Sequence, residues 1–148
     1  ILIGFHRTGQ SLARNLPKKD LLIVDFDPEI IHKLQRYKYD FVFGDVSDPE
    51  LTDKLFTPKT KLVISTSPDL EDNIVLMRYL LILKKRPKVI VRAETEQEAL
   101  ILYNHGADYV LLPHFASGHH LGKMIASDPK LYVLKQLKEK DRKYLSSY

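Results

Sequence analysis

Short apolar runs alternate with longer, helically patterned stretches along this chain of 148 residues. The runs are Ile1–Phe5, Leu21–Val24, Phe41–Phe43, Leu62–Ser65, Val89–Val91 and Tyr109–Leu112. Several are continuously apolar, as in strands whose two faces are both covered. Between them, Asp27-Pro28, Asp48-Pro49, Ser67-Pro68 and Asp128-Pro129 each set a capping side chain before a proline. That pairing marks a helix start, since proline lacks an amide the first turn cannot use. Ser47 with Glu50 and Thr95 with Glu98 have the spacing of a capping box. Gly106 suits the left-handed cap closing the helix that opens at Thr95. The order predicts an α/β fold: a Rossmann-like, doubly wound parallel sheet of about six strands with a C-terminal helical extension. Residues 1–125 would form the sheet domain and residues 126–148 the helical tail.

The stretch Ile74–Leu83 is apolar nearly all the way round a helix, interrupted only by Arg78. A helix lying on a sheet should have a polar outer face, which this one lacks until Lys84-Lys85-Arg86. Ala99 to Tyr103 repeat the theme. Either both helices are deeply buried or their outer faces pack on a second subunit. A domain of this size has few layers to cover them. The pattern therefore favours a homodimer through helices around residues 69–85 and 95–104.

Composition narrows the picture. Apolar residues at 44% and charged residues at 28% allow a real core and exclude disorder. The absence of cysteine excludes disulfides and zinc–thiolate sites. No apolar stretch is long enough to span a bilayer. The chain thus reads as a soluble globular domain. Because Ile1 already lies inside a strand pattern, it reads as a piece excised from a longer protein. The net charge is +4, and residues 128–148 carry +3 of it. The basic tail fits a solvated helix end or a segment near a membrane surface. It lacks the basic face with interleaved aromatics that nucleic-acid binding would want.

The strongest local signal is Gly4-Phe5-His6-Arg7-Thr8-Gly9, between the first strand and first helix. Dinucleotide-binding folds place G-x-G-x-x-G there, and Gly4 and Gly9 match its first and third glycines. His6 takes the second, where a bare backbone normally approaches pyrophosphate. Its imidazole could instead donate to a phosphate, and Arg7 could add a bidentate contact. Amides after Thr8 remain available to an anion. Asp25 ends the second strand, 21 residues after Gly4, where an acid accepts from ribose hydroxyls and repels a 2′-phosphate. Ser65-Thr66-Ser67 close the fourth strand; their hydroxyls either line a ligand crevice or cap the next helix. His119 and His120 are adjacent and cannot share a metal, and no metal site is expected. With His114 they are expected in the loop and start of the last helix. No nucleophile–base pair can be assembled, so the chain does not read as an enzyme.

In order along the chain, Gly4-Phe5-His6-Arg7-Thr8-Gly9-Gln10, Ile23-Val24-Asp25-Phe26-Asp27, Gly44-Asp45-Val46-Ser47-Asp48, Asp69-Leu70-Glu71-Asp72-Asn73 and Gly106-Ala107-Asp108-Tyr109-Val110 resemble the TrkA-N family. These are the domains, also called RCK or KTN, that regulate potassium conductance. The resemblance covers about residues 1–125 and implies a cytosolic regulatory domain of a potassium channel or a Kef-like cation/proton antiporter, at the cytoplasmic face of the membrane. It implies a homodimer joined to a membrane transport domain, and nucleotide occupancy that gates transport. Carried over by position, Arg7 would touch phosphate, Asp25 ribose, and Asp45 would sit near adenine. Ser65, Thr66 and Asn73 would lie at the crevice mouth, with Arg92 reaching in from the fifth strand. His6 departs from the family's glycine, which favours an adenine nucleotide such as AMP, ADP or ATP over NAD(H). The rival readings are a structural dimerisation module with a degenerate pocket, a fragment of an NAD-dependent oxidoreductase and, last, a nucleic-acid binder.

Overall fold

The computed structural model of the chain describes residues 1–146; Ser147 and Tyr148, the end of the expected tail, lie outside the described residues. Six strands, β1 (Leu2–Ile3), β2 (Leu22–Asp25), β3 (Asp40–Phe43), β4 (Leu62–Ser65), β5 (Lys88–Arg92) and β6 (Tyr109–Leu111), make one parallel sheet in the order β3-β2-β1-β4-β5-β6. The connecting helices are α1 (Arg7–Ala13), α2 (Pro28–Tyr37), α3 (Pro49–Leu55), α4 (Leu70–Leu81) and α5 (Glu96–Asn104). After β6 come α6 (Pro113–Ser127) and α7 (Tyr132–Leu145). Two compact units result: Ile1–Leu112 holds the sheet, and the chain from Pro113 onward forms the helical pair. The expected doubly wound α/β architecture is present.

Both faces of the sheet are dry along its central strands. Leu2, Ile23 and Ile64 pack with Phe5, Ala13, Ile30 and Leu34 on one side. Their neighbours Ile3, Val24 and Val63 pack with Leu55, Met77, Leu80 and Leu102 on the other. Successive strand residues point to opposite faces, so two buried faces demand unbroken apolar runs. β1 has only two residues in the ladder, against the five of its apolar run. It is held by backbone hydrogen bonds to both neighbours, such as Gly4 N to Val24 O and Ile64 N to Ile1 O, and by burial worth about 1.5–3 kcal/mol for each Leu- or Ile-sized side chain.

Most helix boundaries follow their local signals. Asp27 and Asp48 accept from the amides of Glu29 and Glu50 at 2.9 Å, each before a proline. Thr95 and Glu98 form the full capping box. Gly106, at φ +93°, closes α5, with Ala107 N donating to Leu102 O and Gly106 N to Tyr103 O. Three signals resolve differently. Ser67-Pro68 does not open α4, which starts two residues later because Asp69 accepts from Asp72 N at 2.9 Å. Ser47 with Glu50 makes no capping box, since Asp48 holds that cap and Ser47 N turns to Asp45. Asp128-Pro129 makes a turn instead of a helix start. Asp128 accepts from Lys130 N and Val133 N, and α7 opens only at Tyr132. His114, His119 and His120 all lie within α6.

Candidate functional site

All the strands point their carboxyl ends the same way, and the chain leaves β1 and β4 toward opposite edges of the sheet. A crevice must open where those connections part. Here it encloses about 440 Å³ and is lined from the ends of five strands: Gly4, Asp25, Gly44 with Asp45, Ser65 with Thr66, and Arg92. That size suits a small-molecule site.

The turn entering the crevice depends on two glycines. Gly4 sits at φ +83°, a conformation open to glycine, and a side chain there would meet Thr66 Oγ1 at 2.6 Å. A Cβ on Gly9 would lie 2.0 Å from the carbonyl oxygen of Gly4, so α1 packs on the turn only without one. Thr66 Oγ1 lies 3.0 Å from Ile3 O and 3.1 Å from Gly4 O, donating into the turn. Thr66 thus holds the turn as well as lining the crevice.

Asp25 is 5% exposed. Its Oδ2 accepts from Phe5 N at 2.7 Å and its Oδ1 from Asp27 N at 2.9 Å. The carboxylate therefore ties the glycine turn to the β2–α2 turn, and each oxygen keeps one lone pair for a ligand. His6 stands at the start of α1 without a capping bond. Its exposed ring lines the crevice, with Nε2 3.8 Å from Asp27 Oδ2. Asp45 accepts from Ser47 N at 2.8 Å and presents its carboxylate at the rim.

Among the other expected residues, Ser65 is buried and lines the crevice. Arg92 also lines it, with its guanidinium paired to Glu94 and its Nε buried and, among the described residues, without a partner. Arg7, Thr8, Gly9 and Asn73 lie outside the lining. Arg7 projects into solvent from the first turn of α1. Asn73 is fully buried and donates to Ser67 O at 3.0 Å and Arg92 O at 3.1 Å, clamping α4 to the ends of β4 and β5.

The crevice also takes residues that were not expected in it. Phe26, 67% exposed, follows Asp25, and Val46 and Ser47 follow Asp45. They occupy the positions just past strand ends, and that adjacency was their signal. Asp72, Val75 and Leu76 form one helical face of α4 by their i, i+3, i+4 spacing. Burial, then the nearby Asp69 and Asp45 carboxylates, raise the Asp72 pKa above the usual carboxylate value, against a hydrogen bond with Ser67.

The TrkA-N domain family matches this sequence over residues 1–113. The chain belongs to that family. Its fold is shared with the TrkA-N domain of the inner membrane protein ybaL from Escherichia coli, at TM-score 0.72 and 17% identity, over 84% of this chain and 93% of that one. The NAD(P)-binding domain of an exopolyphosphatase-related protein from Archaeoglobus fulgidus is similar at TM-score 0.74 and 25% identity, over 86% and 97%. The RCK domain of GsuK superposes at TM-score 0.68 and 22% identity, over 89% of this chain but 29% of the GsuK chain. The GsuK channel itself has been solved bound to NAD and, separately, to ADP. Among the described residues of this TrkA-N domain, no helix is long and apolar enough to cross a membrane.

Proposed function

We propose that this TrkA-N domain is a cytosolic, nucleotide-sensing regulatory domain that gates a potassium channel or a cation/proton antiporter, and that it is not an enzyme. The observation carrying the proposal is the crevice at the parting of β1 and β4. It combines apolar walls from Phe26, Val46 and Val75 with convergent polar groups from Asp25, Asp45, Ser65 and Arg92. An adenine ring suits the walls and a ribose suits the spare lone pairs of Asp25. Structures of GsuK with NAD and with ADP support an adenine nucleotide as the ligand class.

Within that class the reading favours AMP, ADP or ATP over NAD(H). His6 stands where a pyrophosphate needs bare backbone, whereas a mononucleotide can end against the imidazole. Arg7 would have to swing in from solvent to meet phosphate. Leu81 and Ile82 at the end of α4 and Leu100 and Ile101 on α5 are exposed, which supports a homodimer through these helices. Ligand would act by binding one dimer arrangement more tightly than another, and a coupling of about 1–3 kcal/mol is enough to shift a gate.

Calorimetric titration with AMP, ADP, ATP, NAD and NADH tests the reading. Ser47→Trp, which fills the rim from an exposed position, serves as the blocked control. Mononucleotide binding that disappears in this variant supports the proposal. Tighter binding of NADH overturns the mononucleotide preference and brings a redox-sensing role forward. Silence from every ligand, with a dimer still seen by light scattering, leaves a dimerisation module with a degenerate pocket. The Arg92–Glu94 pair, which occupies the guanidinium inside the crevice, favours that second reading.

A further inference from the structure

The charge of this protein is concentrated in a segment the nucleotide crevice does not use. On α7, Lys135, Lys138 and Arg142 follow one another at i, i+3 and i+7, which sets them along a single ridge at 3.6 residues per turn. All three are exposed, and none enters an ion pair among the described residues. Beside the ridge stand Leu134, 46% exposed, and Leu145, 67% exposed. The acids of the helix, Glu139 and Asp141, fall on the two borders of this strip and leave its middle free of negative charge. On the opposite side Val133 is buried, while the exposed Lys140 and Lys143 lie off the strip.

We propose that this strip of α7 docks on an anionic membrane surface. The chemistry selects the partner. A cationic ridge is attracted to an acidic headgroup layer, and leucines along its edge enter the boundary between headgroups and acyl chains. A nucleic acid would pair with the cations but offer the leucines nothing. Asp141, on the leucine side, keeps the helix from sinking past the headgroups. Binding is therefore peripheral, reversible and sensitive to salt. Functionally, the contact would hold this end of the domain against the bilayer, independently of which nucleotide the crevice takes.

The test is co-sedimentation of the whole 148-residue chain with vesicles of phosphatidylcholine alone and of phosphatidylcholine mixed with phosphatidylglycerol. Retention is expected only on the mixed vesicles, falling as salt rises. In Lys138→Gln/Arg142→Gln the partition coefficient is expected to fall about 25-fold, roughly fivefold for each cation. Leu134→Ser should weaken retention on the same vesicles without changing the helical circular dichroism. Lys33→Gln/Arg36→Gln, which removes the same charge from the exposed surface of α2, should leave retention unchanged. The proposal is overturned by no retention on the mixed vesicles or by equal retention on both kinds. An equal loss in the α2 variant also overturns it, as does equally strong retention by duplex DNA at the same salt.

Discussion

Replacing Asp25 should test whether the crevice is built before it binds anything. In Asp25→Ala the buried amide of Phe5 and the partly buried amide of Asp27 lose their carboxylate acceptor. Hydrogen bonds to a charged group contribute about 1.5–3 kcal/mol each, and a buried donor left unpaired costs about 1–3 kcal/mol. Asp25 lines the crevice but is only 5% exposed, so water entering there recovers only part of this. The expected loss is about 3–5 kcal/mol, a large part of the 5–15 kcal/mol that typically holds a domain together. At this chain length the melting temperature should fall by roughly 10–15 °C. Asp25→Asn keeps one acceptor and turns an NH₂ toward the other amide, so about half the loss should remain. Urea denaturation of the three proteins, without ligand, gives the numbers. A loss below 1 kcal/mol in Asp25→Ala would refute the reasoning and return Asp25 to a role confined to the ligand.

Further outcomes follow from other sites. Gly9→Ala forces a methyl to within 2.0 Å of the Gly4 carbonyl oxygen; the expected cost of about 2–4 kcal/mol lies at and above the upper part of the ordinary range for overpacking because the obstacle is backbone, and thermal denaturation measures it. Lys38, at φ 56°, carries a side chain in the left-handed cap of α2, so Lys38→Gly should stabilise by about 0.5–1 kcal/mol in urea unfolding, after the added freedom of the unfolded chain is subtracted. Burial alone would raise the Asp108 pKa, but hydrogen bonds from Lys88 and Val89 N and the charges of Arg86 and Lys88 hold it below the usual value. Its stabilisation is therefore present above the unfolded carboxylate pKa, about 3.9, and is lost as pH falls through the lower folded value. Asp108→Asn should cost about 1 kcal/mol at pH 7, the partner Lys88 being largely exposed, and the gap should close in denaturation curves recorded below about pH 4. Leu100→Glu should abolish a dimer, seen as a halved mass in light scattering, without lowering the melting temperature of the monomer.

What could be read from the chain alone was what the backbone decides over short distances. The six apolar runs announced a sheet covered on both faces because strand side chains alternate, and two dry faces leave no place for polar residues. Asp27, Asp48 and Thr95 announced helix starts because a cap bonds an amide two or three residues away. Gly4 and Gly9 could be recognised by spacing, since the turn that needs them is local. Signals failed where two local acceptors competed: Asp69 was better placed than Ser67, and Asp48 than Ser47.

Tertiary structure alone decided which polar groups remain free. Asp25 has the spacing of a ribose ligand, yet its oxygens also hold the amides of Phe5 and Asp27. Asn73 has the family position of a crevice residue, yet folding spends it on the carbonyls of Ser67 and Arg92. Arg7 lies inside the fingerprint and still faces water, while Val75 lines the crevice without belonging to any motif. A sequence records residue types at spacings, which fixes turns, caps and faces. Whether a donor or acceptor is already paired depends on groups brought together from distant parts of the chain, and only the packed fold determines that.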